Sequence, residues 1–350
     1  MAMTEVTVLG AGIFGLSVAW ECLRRGASVR VVEKRHVGAG SSGGVVGALA
    51  PHTPDGWNPK KQFQFESLVA AGAFWAEVAA AGGVSPGYAR TGRLQPVADA
   101  RGLDLARARA DAARDTWGDA ARWEVIAAPA DGWAPSSPSG YLIHDTLTAR
   151  MNPAAACRAL AAAIEARGGR IDRGSAAPGA TGALVLATGH EGLSDLSTDL
   201  CQPVGAGVKG QALSLGFAAA ERPQLFVDGL HIVPHGDGTV AVGSTSERDW
   251  EAPDTTDDQL DALHARAVAA CQALEDAPVI ARWAGVRPRA RTRAPMLGPH
   301  PLRDGVFIAN GGFKIGFGIA PGVARIMADL VLEGRDRIPA EFRVEASIRP

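Results

Sequence analysis

The chain has 350 residues, 47% of them hydrophobic, enough for more than one core and for two domains. Its 35 basic and 37 acidic residues leave a formal charge of −2, which excludes a general electrostatic attraction to nucleic acid or to anionic membrane. The four cysteines, Cys22, Cys157, Cys201 and Cys271, stand far apart without paired spacing, which argues against a metal site or a disulfide framework and reads as buried thiols.

The apolar run Val6-Thr7-Val8-Leu9 enters Gly10-Ala11-Gly12-Ile13-Phe14-Gly15, a helix is expected through Arg25, and Val29-Arg30-Val31-Val32 forms a second strand ending at Glu33. This is the order of a dinucleotide-binding unit. Gly10 permits the tight turn, Gly12 lets the backbone approach a pyrophosphate, Gly15 allows close helix–strand packing, and the helix N-terminus faces the phosphates. Glu33 stands where a carboxylate accepts hydrogen bonds from ribose hydroxyls. Entry into strand one leaves no room for a signal peptide, and no later apolar run has membrane-spanning length, so a cytoplasmic protein without a membrane span is expected.

Gly38 to Gly44 and Gly47 to His52 are too rich in small residues to build a core and suit backbone lying against a ligand. Residues 60–81 have helical spacing, with Phe63, Leu68, Phe74 and Trp75 on a packing face rather than in a ligand cage. A short strand over 93–97 and a polar-faced helix over 99–115 follow, and 129–140 is loop. Asn152-Pro153 starts a helix that runs to Ala166 and closes at Gly168-Gly169. Ala183-Leu184-Val185-Leu186-Ala187-Thr188-Gly189 then reads as a buried strand ending in Thr-Gly, so the nucleotide domain is discontinuous, with a second domain inserted through it. Alternation at 211–215, 230–234 and 239–243 predicts antiparallel strands, with a helix over 257–274 after them. The last unit is a strand over 306–309, a loop over 310–318 and a helix to Leu332 ending at Gly334.

Five blocks in this order resemble the D-amino-acid oxidase superfamily of FAD-dependent oxidoreductases, most closely its glycine oxidase and sarcosine oxidase branch. They are the glycine motif with Glu33, Gly38 to Gly47, Ala187-Thr188-Gly189, His231-Ile232-Val233-Pro234 with Val242-Gly243, and Trp283-Ala284-Gly285-Val286-Arg287-Pro288 followed by the Gly311 to Gly318 loop. The resemblance implies an α/β fold: a discontinuous, Rossmann-like FAD-binding domain of the glutathione-reductase type over 1–75, 145–205 and 295–350, with an inserted, mainly antiparallel α+β substrate domain over 76–144 and 206–294. It implies FAD on Gly10, Gly12, Ile13, Phe14, Gly15, Glu33, Lys34, Ser41, Ser42, Gly47, Ala48, Thr188, Gly189, Gly312, Phe313, Lys314, Ile315 and Gly316. No cysteine lies in the C-terminal loop where monomeric sarcosine oxidases attach flavin, so the cofactor is expected to be non-covalent.

The same resemblance gives Arg287 the substrate carboxylate, which suits the bidentate geometry of a guanidinium. His231 stands where glycine oxidases carry a tyrosine, and as a histidine it is expected to bind carboxylate and to switch charge near neutral pH. Lys314 replaces a common arginine and places a cation beside the flavin edge that becomes anionic on reduction. His52 is expected to reach the active site. Relatives usually wall the adenine with a strand, a hairpin and a further strand where this chain has only Asp172 to Gly182. The implied reaction is hydride transfer from the α-carbon of an amino acid or N-substituted amino acid to flavin N5, giving an imine, with oxygen or a carrier as final acceptor and no nucleic-acid partner. Two other readings stay open from the residues: a flavin-binding electron-transfer or assembly protein without amine chemistry, and the flavin domain of a tRNA-modifying oxidase.

Overall fold

The computed structural model describes residues 4–174 and 181–349. The chain passes repeatedly between two sheets. It opens with β1 (Glu5–Leu9), α1 (Ile13–Arg24), β2 (Ser28–Glu33), a short β3 (Ala48–Leu49) and the long α2 (Pro59–Gly82). A first excursion adds β4 (Arg93–Pro96), α3 (Ala100–Trp117), β5 (Trp123–Ala127) and β6 (Tyr141–Asp145). The return gives β7 (Ala149–Arg150), α4 (Pro153–Ala166), β8 (Arg170–Arg173), β9 (Ala183–Leu186) and α5 (Gly189–Asp199). A second excursion adds β10 (Gly205–Gly216), β11 (Gln224–Val227), β12 (Leu230–Pro234), β13 (Thr239–Gly243), α6 (Gln259–Ala270) and β14 (Val279–Ala290), and the chain closes with β15 (Met296–Pro299), β16 (Val306–Asn310) and α7 (Gly316–Glu333).

The first sheet has the order β15-β16-β9-β1-β2-β8, parallel except for β15 at its edge. Val6 and Val8 of β1 and Val29, Val31 and Val32 of β2 are buried, as the apolar runs of a sheet covered on both faces require. Its core joins Leu16 and Trp20 of α1, Leu160 and Ile164 of α4, and Ile319 and Val323 of α7. The second sheet has the order β14-β10-β13-β12-β11-β4-β6-β5, antiparallel except where β11 runs beside β4. Leu213, Leu215, Ile232, Val240 and Val242 from one face of this sheet pack on Leu260, Leu263 and Ala267 of α6. Period-two alternation therefore sends Ala212, His231, Trp283 and Arg287 to the other face, which borders the cavity described below.

Several expectations shift by identifiable causes. The loop expected over 310–318 is shorter, because α7 begins at Gly316 and takes Phe317 and Gly318 into its first turn. The buried strand expected to end in Thr-Gly stops at Leu186, and Gly189 opens α5, a helix whose polar residues masked its apolar pair Leu193 and Leu196. β8 pairs with β2 and ends two residues into the short Asp172 to Gly182 stretch, of which residues 175–180 lie outside the described residues. Cys22, Cys157 and Cys271 are buried, but Cys201 is exposed, since it turns the chain after α5 with φ 51°. Among the described residues no helix is long and apolar enough to cross a membrane.

Candidate active site

One cavity of about 1060 Å³ runs between the two sheets, large for a small-molecule site and lined by both glycine-rich segments and by strand ends of each sheet. Gly10 adopts φ +103°, and a Cβ there would lie 2.4 Å from the Ala187 carbonyl oxygen. A Cβ on Gly15 would lie 2.0 Å from the Gly10 carbonyl oxygen, so α1 sits directly on the turn that precedes it. The Ile13 N–H donates to Ser42 Oγ at 3.0 Å, tying the start of α1 to the second glycine segment. Glu33 accepts from the Ala11 N–H at 2.8 Å and from the Arg35 N–H at 3.0 Å. A carboxylate has about four acceptor directions, so ribose hydroxyls can still share it.

Of the seven α-helices described, six sort by capping between this cavity and the rest of the molecule; the seventh, α6, has no side-chain cap at Asp258 and starts away from the cavity wall. Helices α2, α3 and α4 begin at Asn58, Asp99 and Asn152, whose side chains accept first-turn N–H groups. Helices α1, α5 and α7 begin at Gly12, Thr188 and Ile315, and none of these supplies a side-chain cap. All three uncapped ends open on the cavity, with Gly12, Gly189 and Gly316 on its wall. With the Ile13 N–H of α1 given to Ser42 Oγ, the remaining first-turn N–H groups and the positive dipole ends converging on one space fit a phosphate-bearing, electron-rich ligand, which is the physical fit to an FAD molecule.

The second sheet supplies a different wall. Arg287 on β14 donates from Nη1 to Ser244 Oγ at 2.8 Å and from Nη2 to the Thr245 carbonyl at 2.7 Å and the Lys209 carbonyl at 3.2 Å. Its Nε is buried without a hydrogen-bond partner among the described residues, and its guanidinium lies over the Phe313 ring at 5.8 Å from the centroid. Burial lowers its pKa to about 10, against a smaller opposing pull from Glu247, so it stays charged at neutral pH. Gly210 leaves room for it: a Cβ there would meet Nη2, Cζ and Nη1 at 2.4 to 2.9 Å.

His231 faces Phe226 across the β11–β12 hairpin, ring centroids 4.6 Å apart, and its Nδ1 has no partner. Burial first, then the charges of Arg93 and Lys314, push its pKa down to about 3. The expected charge switch near neutral pH is thereby overturned, and the ring is neutral across the physiological range. Arg93 itself is neutralised by Asp145, Nε to Oδ2 at 2.8 Å in a buried pair. Because the folded state resists protonating His231 while an unfolded histidine takes a proton near pH 6.5, stability is full above that value and falls as pH drops toward 3. We expect His231→Gln to flatten this acid slope by about 1 kcal/mol per pH unit between pH 6 and 4, read as melting temperature against pH. Parallel curves for the two proteins would remove His231 as the source.

Of the residues anticipated for cofactor or substrate, Gly10, Gly12, Ile13, Phe14, Glu33, Lys34, Ser41, Ser42, Gly47, Ala48, Thr188, Gly189, His231, Arg287, Gly312, Phe313, Lys314 and Gly316 line the cavity. Gly15 and Ile315 do not: Gly15 packs under Gly10, and Ile315 is the N-cap residue of α7. His52 is not on the wall either, because Gln64 of α2 holds both its backbone N–H and its ring. Sequence reasoning missed Phe226, Ser244, Trp250 and Trp283, all on the wall. Trp283 shares a strand face with Arg287, and its ring covers Gly285 and Gly44, so counting back by twos along β14 would have found it.

A sequence model of the family described as FAD dependent oxidoreductase matches residues 5–330. A glycine oxidase of Pseudomonas aeruginosa is 33% identical over 154 residues, an alignment that spans 42% of this chain and 42% of that protein. A glycine oxidase of Bacillus licheniformis is 26% identical across 94% of this chain and 93% of that protein. The crystal structure of glycine oxidase from Geobacillus kaustophilus superposes with a TM-score of 0.82 at 20% identity, covering 98% of this chain and 99% of that one. The mixed α/β architecture expected from the sequence is thus the one found.

Proposed function

Since the chain belongs to the family of FAD-dependent oxidoreductases, we propose that it oxidises an amine, either an amino acid or an N-substituted amino acid, to an imine. When bound, FAD supplies at N5 the acceptor for the hydride that leaves the α-carbon. The observation that supports this reading is Arg287, a charged guanidinium on the cavity wall whose buried Nε has no hydrogen-bond partner among the described residues. Such a group pairs a carboxylate and fixes the carbon next to it. We assign 1–75, 145–205 and 295–350 to the cofactor and 76–144 and 206–294 to the substrate.

The amine must react as its neutral form. Arg287 and Lys314 disfavour a nearby ammonium, which lowers the pKa of the bound amine so that its proton passes to solvent, and a neutral His231 offers the ammonium no counter-charge. Phe226, Trp283 and Phe313 keep that part of the wall apolar and displace water from it. The uncapped end of α7 contributes N–H groups and a positive dipole end toward developing negative charge. We place the reaction in the cytoplasm, with oxygen or a carrier as the final electron acceptor; peroxide release under air distinguishes the two.

The test is the visible spectrum of the purified protein, followed by anaerobic addition of glycine, sarcosine, proline and D-amino acids. A flavin band that bleaches with one of them is the expected result, and a flavin that no amine reduces would sink the reading. A milder probe addresses Arg287 indirectly. Gly210→Ala crowds the guanidinium rather than the backbone, so we expect the KM of the responding substrate to rise ~10-fold with flavin content and melting temperature unchanged. An unchanged KM would mean that the guanidinium position is immaterial.

A further inference from the structure

Arg287 and Lys314 bring two positive charges to one wall, and among the described residues no carboxylate forms an ion pair with either. The Arg287 Cζ and the Lys314 Nζ each lie 5.8 Å from the Phe313 ring centroid, so they are at most about twice that far apart. Neither makes an ion pair with any of the described residues. Glu247 is the carboxylate that acts on Arg287, but it faces Lys209 at 4.0 Å and is bonded by Gln211 and Thr245. The acids on the cavity wall, Glu33, Glu191 and Asp195, come from β2 and α5. Glu33 is held by two backbone N–H groups and Glu191 by Lys34. Burial first, and then the charge of Arg287, lowers the pKa of Lys314.

Two like charges on one wall, near enough for one to act on the other, persist at a cost unless something anionic joins them. A substrate with one carboxylate paired to Arg287 brings no second anion to Lys314. Resting on the amine-oxidising reading above, we propose that the substrate is an amine carrying two carboxylates, with Arg287 pairing the one on the reacting carbon and Lys314 pairing the other. N-carboxymethyl amino acids and acidic amino acids have this chemistry. The competing use of Lys314, charge support for the reduced cofactor alone, makes no distinction between one carboxylate and two.

Glutarate and butyrate separate these uses, because they match iminodiacetate and sarcosine in shape with a methylene in place of the amine. The FAD-loaded protein is titrated with each, following the shift of its flavin band. Glutarate should bind at least about tenfold more tightly than butyrate, the worth of one charge-assisted pair. That ratio should fall near one in Lys314→Gln and persist in Lys314→Arg. Turnover should follow, with kcat/KM higher for iminodiacetate than for sarcosine. Equal binding of the two acids, or a Lys314→Gln variant that weakens both alike, would overturn the proposal. Binding needs no turnover, so a protein whose flavin no amine reduces, yet which keeps the glutarate preference, contradicts the amine reaction and leaves the dianion site standing.

Discussion

Arg287→Ala should fold, load FAD and keep its flavin spectrum, yet lose between ~30-fold and several thousand-fold in kcat/KM for every carboxylate-bearing amine, most of it in KM. The range is that measured when one partner of a desolvated, hydrogen-bonded charge pair is removed. Folding should survive because the guanidinium itself lies on the cavity wall beside Ser244, so the space it leaves opens to water that can reach the three acceptors now bonded by Arg287, Ser244 Oγ and the carbonyls of Lys209 and Thr245. Arg287→Lys keeps the charge but not the fork, and should recover only part of the loss. An amine without a carboxylate, if it is oxidised at all, should be indifferent to both changes. A variant that turns over carboxylate and non-carboxylate amines with equal losses would show that Arg287 shapes the wall rather than binding substrate.

How much of this site could be read beforehand depends on whether the signal was local. The glycine turn, its helix and Glu33 are contiguous, and their spacing is dictated by backbone geometry, so the cradle was legible. Arg287 was legible only through the resemblance of its block. Its setting was not, because Ser244, Thr245 and Gly210 come from other parts of the chain, and no periodicity in β14 points to them. The hairpin of β11 and β12 had a local sign that went unread: Asp228-Gly229, with φ of 47° and 79°, is a two-residue turn that fixes Phe226 opposite His231. The neutrality of His231 lay beyond any sequence pattern. It follows from burial beside Arg93 and Lys314, residues separated by more than two hundred positions and brought together only by the pairing of β4 with β11 and by the loop before α7.

The cofactor end admits an equally large and separate effect. In Gly15→Ala the new Cβ would stand 2.0 Å from the Gly10 carbonyl oxygen and 3.1 Å from the Ala187 Cβ. The nearest of these is backbone, which no rotamer change can clear, so the start of α1 must lift away from the turn. Its uncapped N–H groups then no longer converge on a bound pyrophosphate. Losing two such charge-assisted bonds at ~1.5–3 kcal/mol each weakens FAD by at least about 100-fold, and the protein should purify colourless. A displaced helix can also cost stability, so Glu33→Gln is the companion variant. It keeps an oxygen for the Ala11 N–H and the shape of the β2 end, removes the charge, and puts a donor in place of the acceptor of the exposed Arg35 N–H, which water can take over. There FAD should bind roughly tenfold more weakly with an unaltered melting curve of the apoprotein, measured by titration of the visible band. If Glu33→Gln leaves FAD affinity untouched while Gly15→Ala merely unfolds the chain, the ribose does not sit on Glu33.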